Sequence, residues 1–179
     1  MIDRIGMIPA SFLTNTLLQK FFQTVHVWDI ATKTWFAQST TAETELYPSN
    51  KSISHCSVVA SAEDNSSHNI YLTIGVTRTG GGNGKVFILT LPAFRWVLVY
   101  ETIQDVWYMG GSECLKVHEK HMVIYRGVAL DTCDNDKDSK RFQGMRIYDM
   151  SSLTWTTKVE LKNQKYLVPD ILHPIIGGK

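Results

Sequence analysis

Gly80-Gly81-Gly82-Asn83-Gly84-Lys85 is the segment most like a phosphate-binding loop. Such a loop cradles phosphates with consecutive backbone N–H groups, then supplies Lys and a magnesium-holding Ser or Thr at a helix start. Here the spacing to Gly84-Lys85 is one residue short, Val86 replaces the hydroxyl residue, and a strand follows. The segment reads as a Gly-rich connection between strands. Asp134, Asp136 and Asp138 alternate like the first ligands of a calcium loop. The sixth position would be Ser139, where the turn needs Gly, and the twelfth Met145, where a bidentate Glu is required. The better reading is a solvated surface loop. His26, His55, His68, His118, His121 and His173 are scattered, and no Cys or carboxylate completes a ligand set around His118 and His121. Nucleophile elbow, zinc helix and paired catalytic carboxylates are all missing. No catalytic, cofactor-binding or metal-binding residue is assigned, and no cofactor is expected.

What must position such residues is a chain of 179 residues, the length of one domain, with 44% hydrophobic content. A net charge of +1 and dispersed basic residues give no reason to expect nucleic acid as a partner. No apolar run approaches the length of a membrane span. The apolar stretch Ile5 to Leu18 is broken by Pro9, Ser11, Thr14, Asn15 and Thr16, a poor match to a signal peptide. The compartment is left open. The three Cys leave at least one thiol unpaired or intermolecular. Cys114 and Cys133 flank one predicted strand, so a disulfide between them is geometrically conceivable; reduced thiols are the other reading. Two glycosylation sequons, Asn50-Lys51-Ser52 and Asn65-Ser66-Ser67, fall in predicted loops and lend weak support to a secretory route.

Three segments share one pattern. Val25-His26-Val27-Trp28-Asp29 runs to Trp35, Val86-Phe87-Ile88-Leu89-Thr90 to Trp96, and Met145-Arg146-Ile147-Tyr148-Asp149 to Trp155. Each is an alternating strand, a large side chain, Asp or Thr, a short turn, and Trp. The period of about 60 residues predicts a repeat architecture. Between these cores the chain predicts strands over 54–60, 69–74, 86–90 and 96–100, making one antiparallel four-stranded unit over 54–100. A second unit follows, with strands over 114–117, 121–125 and 145–149 and a last one opening at Trp155. Cys56 lies 40 residues before its Trp and Cys114 lies 41 before its own, so the first strands are in register too. Of the first unit only strands near 24–29 and 33–38 are visible. Ile171 to Ile176 is a strand candidate ending at Gly177-Gly178.

Four-stranded units with Gly after the second strand and Trp opening the fourth resemble the kelch repeat, a β-propeller blade. Val27-Trp28-Asp29-Ile30 to Trp35, Cys56 to Ile70-Tyr71, Leu89-Thr90-Leu91-Pro92 to Trp96, Cys133-Asp134, Tyr148-Asp149 to Trp155, and Tyr166 to Gly178 read like fungal kelch proteins of the galactose-oxidase-like kind. The resemblance covers roughly residues 24–178. It implies an all-β fold: an incomplete kelch-type β-propeller with two full four-stranded blades and partial blades at each end. The blade cores lie near 24–38, 54–100, 112–158 and 171–178, and residues 1–23 form a non-repeat N-terminal segment. Trp35, Trp96, Trp155, Asp29, Asp149, Gly75, Gly127, Gly177 and Gly178 are the implied structural repeat positions. The chain departs from the pattern where Ile74-Gly75 and Arg126-Gly127 replace Gly-Gly. Propellers close with about four to eight blades, so further blades or another chain would be needed for closure.

The resemblance implies a non-catalytic module that binds protein partners through its blade loops, with 76–84 and 128–143 as the contact elements. Relatives of this kind suggest placement at a membrane or cell surface, though no span lies in this chain. One alternative is an oxidase-like propeller enzyme, but no Tyr, His or Cys here matches the copper ligand positions. Iron-dependent kelch proteins use Glu, Asp and His four apart; Glu101 and Asp105 have that spacing, and Met109 stands in place of His. Another alternative is a truncated gene product without independent function.

Overall fold

The computed structural model of the chain describes residues 22–43, 46–48, 55–74, 85–100, 109–110, 112–125, 128–129, 145–162 and 165–176. The described residues are mostly strand. The elements are β1 (Thr24–Asp29), β2 (Thr34–Ser39), β3 (Thr41–Ala42), β4 (His55–Ser61), β5 (His68–Ile74), β6 (Val86–Leu91), β7 (Arg95–Tyr100), β8 (Met109–Gly110), β9 (Glu113–Val117), β10 (His121–Tyr125), β11 (Val128–Ala129), β12 (Met145–Asp149) and β13 (Thr154–Thr156). A 3-10 turn, Asp170–Leu172, leads into the one-turn helix α1 (His173–Ile176).

Antiparallel meanders account for most of the described strands. The middle sheet has the order β3-β7-β6-β5-β4, and the second sheet β13-β12-β10-β9. β1 and β2 form a separate hairpin, and β8 pairs with β11. β3 lies parallel to β7, with Thr41 opposite Arg95, so the chain runs along one edge of the middle sheet before entering β4 at the other.

The middle sheet is buried on both faces, which explains why β5 and β6 read as nearly continuous apolar runs. Because successive side chains alternate, Val58, Ala60, Tyr71, Val86, Ile88 and Val97 share one face. They pack against Met122, Ile124, Tyr148 and Met150 of the second sheet in the larger core. Ile70, Leu72, Ile74, Phe87, Leu89 and Trp96 occupy the opposite face, packed against Phe22, Val25, Ala42 and Tyr47. A one-residue slip in either sheet would exchange these two sets.

The strand candidate over 171–176 is corrected. Those residues form the 3-10 turn and α1, and the rest of the expected partial blade over 171–178 lies outside the described residues. Pro174 has no N–H for a ladder, while its fixed φ suits the first turn of a helix. The Leu172 N–H donates to the Pro169 carbonyl at 2.9 Å, closing the turn, and the Leu172 side chain is fully buried in the larger core. Among the described residues no helix is long and apolar enough to cross a membrane.

Candidate functional site

The three Trp-anchored hairpins share a backbone geometry set by local chemistry. In each, the Trp stands across the ladder from the large residue before Asp or Thr: Trp28 opposite Trp35, Leu89 opposite Trp96, Tyr148 opposite Trp155. Two residues before each Trp the backbone turns left-handed, at Lys33 (φ 56°), Phe94 (φ 51°) and Leu153 (φ 57°). A non-Gly residue in that region carries a cost of roughly 1–2 kcal/mol, so neighbouring bonds must hold it there. In the first hairpin Asp29 Oδ1 accepts the N–H of Ala31 at 2.8 Å and of Thr32 at 3.4 Å. In the last, Asp149 Oδ1 accepts the N–H of Ser151 at 2.9 Å and of Ser152 at 3.0 Å. A hydroxyl pair closes each turn, Thr32 with Thr34 at 2.8 Å and Ser152 with Thr154 at 2.7 Å. The middle hairpin has Thr90 instead, whose buried hydroxyl has no hydrogen-bond partner among the described residues; Pro92-Ala93-Phe94 makes that turn.

The expected repeat positions therefore meet different fates. Trp96 is 4% exposed and its Nε1–H donates to the Phe22 carbonyl at 2.9 Å. Trp155 is half-buried, edge-on to Tyr148 at 5.0 Å. Trp35 is 61% exposed, its ring tilted against that of Trp28 at 5.2 Å. Asp29 is held below the usual carboxylate range by the Thr32 hydroxyl and then by the turn N–H groups. Asp149 is also held low: burial raises it, but the N–H of Ser152, the Lys120 ammonium at 3.0 Å and the N–H of Ser151 outweigh that. Lys120 also reaches Glu160 at 2.9 Å. Gly75, Gly127, Gly177 and Gly178 lie outside the described residues, as do Cys133, the calcium-like Asp134, Asp136 and Asp138, and Glu101 and Asp105.

The cysteine reading is corrected. Cys56 on β4 and Cys114 on β9 form the disulfide, with Cα atoms 5.4 Å apart across a separation of 58 residues. Each is the second residue of the edge strand that opens its sheet, and these two edge strands lie side by side. Flanking one strand was the wrong criterion, because a bridge requires adjacency in space and not in the chain. The usable signal was the near-equal offset of Cys56 and Cys114 from their Trp residues.

Sequence reasoning also missed a buried polar cluster between the sheets. Tyr71 Oη–H donates to the Met150 carbonyl at 2.6 Å. That spends its proton, so Tyr166 donates to Tyr71 Oη at 3.0 Å and accepts from Asn69 Nδ2 at 3.0 Å. Burial pushes the Tyr166 hydroxyl up to about 12 and raises Tyr71 well above its ordinary value. Both stay protonated at physiological pH and act as structural donors. They tie the segment after β13 into the groove between the two sheets.

The connections sort to two ends of this pair of sheets. The turns over 62–67, 92–94, 118–120 and 150–153 lie at one end, where Lys165 pairs with Glu63 and the Leu167 N–H donates to Ser151 Oγ at 2.9 Å. At the other end lie the Cys56–Cys114 bridge, Ile74, and Tyr125, whose hydroxyl donates to the Glu113 carboxylate. β5 and β10 both finish at that second end, at Ile74 and Tyr125. Most of the two expected contact elements, 76–84 and 128–143, lies outside the described residues; only β11 falls within them.

Among the described residues, no three His, Cys, Asp or Glu side chains come together as metal ligands. No protein-family profile matches the chain. A kelch repeat-containing protein of Arthroderma benhamiae is 26% identical over 181 aligned residues, covering 86% of this chain and 25% of the relative. The chain thus spans about a quarter of the length of that curated relative, and the likeness supports a distant relationship to the kelch-repeat proteins.

Proposed function

We propose that this chain is a non-catalytic interaction module of kelch type, binding a protein partner at the end where β5 and β10 finish. In this reading the middle and second sheets are neighbouring blades of a propeller of the galactose-oxidase-like kind, and β1–β2 is part of another blade. Further blades, from a longer chain or from another one, complete the ring. The observation that carries it is the stacking of two four-stranded meanders whose first strands, β4 and β9, run side by side and are covalently stapled. Such a scaffold holds its connecting segments at fixed spacing, and variable loops on a rigid frame are the usual place for recognition.

The test is site-specific photo-crosslinking. A crosslinker placed within 76–84 or 128–143 should trap protein partners from the native source, and one placed in the 62–67 turn should not. Equal trapping at both ends would sink the assignment of the binding end.

A further inference from the structure

Asn65-Ser66-Ser67 sits at the tip of the β4–β5 turn. The turn is rigid: the Asn65 N–H donates to the Ala62 carbonyl at 2.9 Å and the Ala62 N–H to the Ser67 carbonyl at 3.0 Å. Asp64 Oδ1 accepts the Ser66 N–H at 3.0 Å and the Ser66 hydroxyl at 2.6 Å. Asn65 itself takes the left-handed conformation, φ 58°, which Asn tolerates better than most residues. Its side chain is exposed. Residues 63–66 are all exposed, so a bulky adduct at Asn65 clashes with nothing in this turn.

An independent observation points to the compartment where such adducts are made. A disulfide between the edge strands of two sheets persists in oxidising surroundings, and the secretory pathway is both oxidising and the place of N-glycosylation. We propose that Asn65 carries an N-linked oligosaccharide. The transfer forms a bond from Asn65 Nδ2 to C1 of the sugar. The C1–O bond to a lipid-pyrophosphate carrier breaks, the pyrophosphate leaves with the electron pair, and the amide gives up one proton. The host transferase supplies the carrier-linked donor.

The sequon's third residue dates the event. Ser67 is 1% exposed and its hydroxyl is buried without a partner. A transferase that must engage that hydroxyl reaches it only before β4 and β5 pair. The glycan therefore goes on before the sheet closes. It then marks the tight-turn end of the sheets, opposite the end where β5 finishes. That it leaves a binding end uncovered rests on the interaction reading; the modification does not.

The chain is secreted from a eukaryotic host behind a cleavable leader and mapped by non-reducing peptide mass spectrometry. The expected result is a Cys56–Cys114 linked peptide, with Asn65 converted to Asp by peptide N-glycosidase in heavy-oxygen water. Asn65→Asp, an exposed and αL-tolerant change, abolishes that label while leaving the melting curve in place. Site-by-site reading separates Asn65 from Asn50. Unmodified Asn65 in the oxidised, folded chain overturns the proposal. The timing has its own test: folded, unglycosylated chain offered to purified oligosaccharyltransferase should stay unmodified, and reduced, unfolded chain should accept. Equal acceptance by both removes the buried-Ser67 argument.

Discussion

The β1–β2 hairpin and the β12–β13 hairpin have the same local code and opposite surroundings. Both carry Asp, a left-handed residue two before Trp, an aromatic pair across the ladder and a hydroxyl pair closing the turn. Yet β12–β13 is half of a four-stranded sheet whose Tyr148 and Trp155 pack into the larger core. β1–β2 stands as a two-stranded sheet joined to the middle sheet at its base. There the Phe22 carbonyl receives the Trp96 Nε1–H and the Thr40 hydroxyl, the latter at 2.6 Å. Turn geometry is written into a few adjacent residues; the value of an aromatic pair depends on what lies above it. A two-stranded ribbon is marginal in water, so the first hairpin contributes form without much stability of its own.

The sharpest way to break this comparison is at the Trp positions. Trp96→Ala empties a buried site and removes one of the two donors to the Phe22 carbonyl, and should cost about 3–5 kcal/mol in denaturant unfolding. Trp35→Ala, at an exposed site, should cost less than about 1 kcal/mol. Equal losses would mean the hairpin is buried in solution. In a longer chain whose added sheets cover the hairpin, Trp35→Ala should approach the cost at Trp96.

Next in size is the staple. Reduction, or Cys56→Ala with Cys114→Ala, releases a loop spanning 58 residues and should lower stability by about 4 kcal/mol on the chain-entropy account. A melting curve unmoved by reductant would show that β4 and β9 are held by packing alone.

The Asp pair tests the turns. Asp149→Ala loses two backbone donors and the Lys120 contact, and roughly 2 kcal/mol is expected from bonds to a charged group. Asp29→Ala removes the same turn bonds at the surface and should have the smaller effect. Asp149→Asn should recover part of the loss by keeping an oxygen acceptor for Ser151 and Ser152.

The smallest effect is expected from pH. His121, fully buried beside Asp149, is held below the ordinary imidazole value of 6.5 by burial, with Asp149 opposing. Unfolded, it takes up a proton that the folded residue refuses until lower pH. Its share of stability is therefore complete above 6.5 and lost as pH falls through the lowered folded value. Half-buried His55, also lowered by burial, carries the same sign. The melting temperature should fall between neutral pH and mildly acidic pH, and His121→Gln should flatten that fall. An unchanged slope in the variant would shift the cause to His55.

Legibility followed the range of the physics. The short, nearly continuous apolar runs of β5, β6 and β10 are readable as strands because these strands are buried on both faces. The Asp-turn-Trp motif was readable because its bonds span two or three residues. The segment 171–176 was misread because Ile171, Leu172, Ile175 and Ile176 look like a strand, while Pro174 and the burial of Leu172 make a turn and a helix. The cysteine pairing is open in the sequence, because the Cys56–Cys114 bridge depends on adjacency between two sheets that no local pattern marks. The Tyr71–Tyr166–Asn69 cluster joins residues about 95 apart in the chain, and nothing local announces it.

Most of the longer strands, the repeated turns and the positions of the three Trp residues are written in the sequence. All of these rest on alternation and short-range hydrogen bonds. Only the tertiary structure decided which Trp is buried, which cysteines meet, and where the segment after β13 docks. Those outcomes depend on how one sheet stacks on the next, and burial is a property of neighbours that no residue carries alone.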